Sequence, residues 1–299
     1  MGLPESTIEK AYRYCEEVTR LHAKSFYFAA GFLPAAKRRA VFPIYAFCRH
    51  VDDEIDELGL RDEAAAIRAV ERWQANLQMV YDGKIDEERP ANDEQTEVLT
   101  AWRDLLENYR IPPDLPRELV EGVLMDTRIK RYETFDELYV YCYRVASTVG
   151  LMSSEILGYR EPKALAYAEA MGIGMQLTNI LRDVGEDAEK GRIYLPQEDL
   201  RRFGVTTEQI FERRFDRNFE ELVKFELERA RSYYREGEKG IALLEKDSRF
   251  TVLLAARVYA KILDEIEKQH YNVFIRRAHT SRTQKLLAVP GIWLEARKL

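Results

Sequence analysis

Asp52 and Asp56 stand four residues apart in the segment Tyr45-Ala-Phe-Cys-Arg-His-Val-Asp-Asp-Glu-Ile-Asp-Glu57. Asn179, Asp183 and Asp187 repeat that interval in Gln176-Leu-Thr-Asn-Ile-Leu-Arg-Asp-Val-Gly-Glu-Asp187. On a helix, residues four apart lie one turn above each other, with Cβ atoms about 5–6 Å apart. Carboxylate and amide oxygens are hard ligands suited to Mg²⁺, and by the same donor chemistry to Mn²⁺. Mg²⁺ retains water and shares phosphate oxygens. Two carboxylate-bearing helices facing each other would therefore clamp a metal-bound diphosphate.

The elements that must carry these acids can be read from their neighbours. Val41, Ile44, Cys48, Val51 and Ile55 step by 3, 4, 3 and 4, an apolar helix stripe. One residue over, about 100° of rotation, runs a polar line of Tyr45, Arg49, Asp52 and Asp56. The second segment repeats the design. Ile173, Leu177, Ile180 and Val184 read as core, with Gln176, Asn179, Asp183 and Asp187 beside them. Gly172, one turn before Gln176 on that line, is expected to leave room for something other than a side chain. Both acid groups precede a glycine, Gly59 and Gly191, so both fall in a last helical turn. That end of a helix is already negative, and an acid there costs about 0.3–1 kcal/mol. Like charges one turn apart cost a further ~0.2–0.5 kcal/mol. A bound cation would reverse both signs. Without one, removing Asp52 or Asp183 is expected to spare or even stabilise the fold. An acidic run can also be an ordinary solvated face, but two runs of one design point to a site.

A diphosphate also needs cations and hydroxyls. His22-Ala-Lys-Ser25, at a helix-to-loop transition, offers Lys24 and Ser25. Arg49 and Arg182 ride in or beside the polar lines, although Arg49 could equally pair with Asp53 and Arg182 with Glu186. Tyr259 and the pair Arg276-Arg277 come late in the chain. Asp126 is a lone acid on a mostly apolar helix and reads as a capped or salt-bridged residue. Phe26, Tyr45, Tyr141 and Tyr259 could wall a cavity in which a carbocation is held, because ring faces attract cations without attacking them.

The 299 residues read as helix after helix, over roughly 5–21, 35–58, 61–82, 93–109, 116–130, 134–158, 162–189, 216–246 and 248–269. Thr134 with Glu137 makes a capping-box pattern. Segments 83–92 and 110–115 read as loops, neither long enough for a domain linker. A single all-α domain spanning 1–299 is the simplest reading. The net charge of −6 argues against a nucleic-acid binder. Cys15, Cys48 and Cys142 form no CxxC pair and read as reduced thiols. No secretory leader and no span of ~20 apolar residues is apparent. The expectation is a cytoplasmic protein, with peripheral membrane contact left open.

Taken in order, the blocks His22-Ala-Lys-Ser-Phe26, Tyr45 through Asp56, Tyr141-Cys-Tyr-Arg-Val-Ala-Ser-Thr-Val-Gly150 and Gln176 through Leu200 resemble the squalene/phytoene synthase family. The last block contains Gly191-Arg-Ile-Tyr-Leu-Pro196. The resemblance spans about residues 15–280 and lies closest to bacterial phytoene and dehydrosqualene synthases. It implies an all-α isoprenoid-synthase bundle around a central cavity. It implies a Mg²⁺-dependent head-to-head condensation of two prenyl diphosphates through a cyclopropylcarbinyl diphosphate, with diphosphate released. It implies metal held by Asp52, Asp56, Asn179, Asp183 and Asp187. The implied diphosphate contacts are His22, Lys24, Ser25, Tyr45, Arg49, Gln176, Arg182, Tyr259 and Arg276, and Tyr141 is counted with Asp52, Asp56, Asp183 and Asp187 among the catalytic residues.

Ala30, one turn beyond Phe26, is expected on the cavity wall. Many farnesyl-using members resembling this chain carry Phe there, so Ala30 favours geranylgeranyl diphosphate and phytoene. The alternative is a farnesyl-derived dehydrosqualene, presqualene diphosphate or squalene. No GxGxxG follows a strand, and NADPH is disfavoured, although members that use it lack that motif too. Asp52-Asp53-x-x-Asp56 also fits head-to-tail prenyltransferases, and Asn179 through Asp187 fits a terpene cyclase metal triad. The Tyr141–Gly150 and Gly191–Pro196 blocks favour the head-to-head family over these, over a helical scaffold and over a membrane adaptor.

Overall fold

Both stripes assigned to the core are buried: Val41, Ile44, Val51 and Ile55 on the first helix, Ile173, Leu177, Ile180 and Val184 on the second. Removing such a side chain from water is worth roughly 1.5–3 kcal/mol. These stripes therefore fix how the two acid-bearing helices face the rest of the chain. The computed structural model describes residues 5–59, 61–84 and 94–299, so residues 85–92 of the expected loop and the expected helix start at 93 lie outside the described residues.

The chain opens with α1 (Glu5–His22) and α2 (Lys24–Ala30), separated by the single residue Ala23, whose backbone leaves the helical region. Next come α3 (Ala35–Asp53), extended by a π turn over Glu54–Leu58, then α4 (Glu63–Tyr81), α5 (Glu94–Asn108) and α6 (Asp114–Arg128). The expected helix over 134–158 is α7 (Phe135–Cys142), a second π turn (Tyr143–Ser147) and α8 (Thr148–Leu157). Thr134 caps it by accepting from the Glu137 amide, while the Glu137 carboxylate takes the Glu133 amide. The long α9 (Ala164–Glu189) is followed by short α10 (Gln197–Phe203) and α11 (Thr207–Phe211). Helices α12 (Arg217–Glu238), α13 (Lys246–Lys268) and α14 (Arg282–Ala296) complete the chain. The helix expected over 216–246 stops at Glu238, where Gly240 and a 3₁₀ turn over Ile241–Leu243 redirect the chain.

Among the described residues there is no strand, only two isolated bridges. None of their helices is long and apolar enough to cross a membrane.

Two large apolar clusters carry the packing. One joins α1, α3, α4, α5, α6 and α8; the other joins α7, α9, α10, α12 and α13. Helix α3 belongs to the first and α9 to the second, so the two polar lines come from opposite cores. The second π turn is wedged between α6 and α9. A Cβ on Gly122 would sit 2.6 Å from the Arg144 Cβ, and one on Gly172 would sit 2.5 Å from the Ser147 Cα. Gly172 lines the cleft between the two cores, and the room left by its missing side chain is taken by the Ser147 backbone. That contact between two backbones sets the position of α9.

Candidate active site

Between the two cores lies a cleft of about 1190 Å³. Its wall changes character along both helices. On α3 the lining runs from Val41 through Tyr45 and Cys48 to Arg49, Asp52 and Asp56. On α9 it runs from Ala164 and Ala168 through Met171 and Met175 to Gln176, Asn179, Asp183 and Asp187. At 1.5 Å per residue, the α9 wall covers about 34 Å from its apolar to its charged end. One end of the cleft is thus greasy and the other ionic, and both acid-bearing helix ends meet at the ionic end.

The charges there are unevenly compensated. Asp56 accepts from Lys190 Nζ at 2.7 Å and from Arg192 Nη1 at 3.0 Å. Burial opposes its ionisation, but those two cations hold it below the usual carboxylate range. Asp183 is gripped by Arg182 (2.7 Å from Nε) and by Arg277 (2.7 and 2.9 Å), and is held low for the same reason. Asp52 and Asp187 lack such partners. The nearest cation to Asp52 is Arg49 at 3.9 Å, while Arg49 itself bonds Asp53 at 2.8 Å. Enclosure by the cleft wall, then the neighbouring Asp56, pushes Asp52 up to about 7. Burial, then Asp183, pushes Asp187 up to about 8.

The other predicted contacts converge on the same space. Tyr259 donates to Asn179 Oδ1 and accepts from Arg182 Nη1 at 3.1 Å, and Asn179 donates to Gln176 at 3.0 Å. His22, Lys24 and Ser25 line the cleft where α1 gives way to α2. The helix-to-loop transition expected there is instead a junction of two helices. All four expected wall aromatics, Phe26, Tyr45, Tyr141 and Tyr259, line the cleft. The Tyr141 hydroxyl donates to the buried Asp126 at 3.1 Å, and Tyr194 donates to the other oxygen of Asp126 at 2.7 Å. Asp126 is thus buried and hydrogen-bonded, with Arg192 4.0 Å away, but it also lines the cleft, which its sequence context did not suggest. Its two tyrosine hydroxyls lie in a site where burial holds Tyr141 well above its ordinary value.

Two expectations are corrected. Arg276 does not line the cleft, whereas its neighbour Arg277 does and binds Asp183. After α13 the chain is irregular, so spacing could not decide which of the two faces inward. Ala30 is fully buried in the α1–α3 core, while Ala29, buried against the cluster that includes α13, borders the cleft instead. The position of α2 decides this, and α2 was not legible. Lys190, Arg192, Tyr194 and Lys285 also line the cleft and were missed. The Gly191-Arg-Ile-Tyr-Leu-Pro196 motif held a signal for Arg192 and Tyr194; Lys285 had none.

A hard divalent cation suits the donor chemistry of this end, where oxygen ligands crowd together and two carboxylates have no close counter-charge. Among the described residues, however, no three acidic, histidine or cysteine side chains already converge as a metal cage. Lys190, Arg192, Arg182 and Arg277 take up the carboxylates that would have to converge.

Comparison with known proteins places this geometry among relatives. The family model for squalene/phytoene synthase matches residues 19–284. A 15-cis-phytoene synthase of Synechocystis sp. is 40% identical over 99% of this chain and 88% of its own. Phytoene synthase 2, chloroplastic, of Solanum lycopersicum is 40% identical over 95% of this chain and 90% of its own. A crystal structure of a dehydrosqualene synthase in complex with ligand superposes with a TM-score of 0.88 at 32% identity, covering 98% of each chain.

Proposed function

The chain belongs to the squalene/phytoene synthase family, and from that premise we propose that it joins two geranylgeranyl diphosphates head to head to make phytoene for carotenoid biosynthesis. The observation that carries this reading is the polarity of the cleft, ionic at one end and apolar along the rest. A prenyl diphosphate has the same two-part character.

At the ionic end, Arg49, Arg182, Lys190, Arg192 and Arg277 face the space where a diphosphate would lie. Fixed cations stabilise the charge that grows on diphosphate as the carbon–oxygen bond breaks, and they need no reorganisation to do so. Asp52, Asp56, Asn179, Asp183 and Asp187 would hold Mg²⁺, which when bound neutralises the same leaving group. His22, Lys24, Ser25, Tyr45 and Gln176 would position the diphosphates.

Where the ionic end meets the apolar stretch, the rings of Phe26, Tyr45, Tyr141 and Tyr259 would face the allylic cation and hold it without trapping it. The second substrate's double bond attacks that cation, and loss of a proton closes the cyclopropane ring of the cyclopropylcarbinyl diphosphate. Ionisation of that intermediate releases the second diphosphate, and rearrangement ends in loss of a second proton. Asp52, Asp56, Asp183 and Asp187 crowd the ionic end, and Asp126 is held by Tyr141 and Tyr194. The Tyr141 hydroxyl is committed to Asp126 and held in its neutral form. We therefore assign the proton to the released diphosphate. Closely packed apolar walls keep out water that would quench the cation.

Incubation with geranylgeranyl or farnesyl diphosphate and Mg²⁺, with and without NADPH, tests this through mass analysis of extracted lipid and pyrophosphate release. The expected result is a C40 hydrocarbon from the C20 substrate without NADPH. A preference for a C30 product would overturn the chain length. A longer prenyl diphosphate or a cyclised C15 product would overturn the head-to-head chemistry.

A further inference from the structure

Helix α14 is built inside out. Ile292 packs inward, with Ala288, Val289 and Ala296, on the cluster that includes α13. On the other side, Leu286 is 53% exposed, Leu287 76%, Trp293 45% and Leu294 57%, and Pro290 is exposed with them. At 100° per residue these five side chains occupy an arc of about 120°. A face that is apolar toward solvent on a helix already packed on its other side marks an interaction surface.

Charge indicates what covers it. Arg282 at one end and Arg297 and Lys298 at the other frame the arc, and the Arg297 guanidinium lies 4.6 Å from the centre of the Trp293 ring. The sole acid of the helix, Glu295, is 3.5 Å from Arg257. Apolar side chains and a tryptophan framed by cations complement an anionic lipid surface. The arc is also continuous with the cleft. Lys285, one residue before Leu286, lines the cleft and lies close enough to Lys24 for their charges to repel. Leu21 lines the cleft while remaining 54% exposed.

We propose that α14 docks on an anionic bilayer through Leu286, Leu287, Pro290, Trp293 and Leu294, setting the cleft against the lipid from which prenyl substrate enters and into which product leaves. The direction of traffic rests on the proposed function; the docking itself does not.

The test is flotation of the full chain with vesicles of phosphatidylcholine alone or mixed with phosphatidylglycerol, in the absence of substrate. The unmodified chain is expected to float with the anionic vesicles and less with the neutral ones. Replacing three buried-on-docking leucines in the triple variant Leu286→Glu, Leu287→Glu, Leu294→Glu is expected to reduce partitioning at least about tenfold. Its melting temperature, and its pyrophosphate release from detergent-dispersed substrate, are expected to be unchanged. Equal flotation of variant and unmodified chain, equal flotation on both vesicles, or no flotation would overturn the proposal. So would a self-association in sedimentation velocity that the triple change abolishes without any vesicle binding, because it would assign the face to a second copy. Turnover without flotation sinks only the docking, and flotation without turnover sinks only the enzymatic reading.

Discussion

The two ends of the cleft are built by opposite strategies. At the ionic end, side chains are placed against their own stability: acids at negative helix ends, crowded together, two of them without close counter-charge. In the apolar stretch, function comes from what is left out. Small residues such as Ala29, Ala164, Ala168 and Ala255 line the cleft, and Gly172 allows α9 to touch the second π turn. Charge that costs folding energy is kept at one end, and volume that could have been filled is left open at the other. The ionic end should therefore be sensitive in catalysis, and the apolar end in fold and selectivity.

The largest expected effect tests the ionic end. Asp183→Asn should lower turnover by roughly 10²–10³-fold, with circular dichroism showing a folded protein. Turnover near the unmodified level would break the comparison at its catalytic side. Next, Gly172→Ala should force the α9 backbone away from Ser147 and cost roughly 1–3 kcal/mol. A melting curve that does not move would show that the close approach is dispensable.

Ala29→Phe should shift preference from the C20 toward the C15 substrate by about tenfold, the scale of filling an apolar pocket. Ala30→Phe, directed into the core, should lower stability without that shift. Competition assays with both substrates read out the pair, and the reverse pattern would mean that the wall has been assigned to the wrong face of α2. The smallest effect separates the acids themselves. In metal-free protein above about pH 8, where Asp187 is ionised, Asp187→Asn should raise stability by about 0.3–1 kcal/mol, since a negative charge leaves a negative helix end. Asp183→Asn should lower it instead, because Arg182 and Arg277 lose their shared carboxylate. The sequence alone put removal of Asp183, like that of Asp52, on the favourable side; the two arginines reverse it for Asp183. If both variants melted alike, the uneven compensation would have no energetic meaning.

Most of the ionic end was legible because it is written in local periodicity. The stripes on α3 and α9 told which side was buried, and the polar line one residue over had to border it. Arg276 was misplaced because it lies outside any periodic element. Helices α10 and α11, of 7 and 5 residues, are too short to show a period. Helix α14 was missed although Ser281 and Gln284 form a capping box. Its Pro290 argues against a helix interior, and its apolar residues face outward, so neither composition nor a core stripe announced it.

The sequence by itself determined which residues could bind metal and diphosphate, because helical spacing fixes the relative positions of side chains within a turn or two. Only the tertiary structure decided which acids are paired, which alanine faces the cleft, and where α14 presents its leucines. Those outcomes depend on contacts between segments far apart in the chain, such as Asp56 with Arg192 and Asp183 with Arg277. Helical periodicity carries no information across such distances; packing of the two cores supplies it.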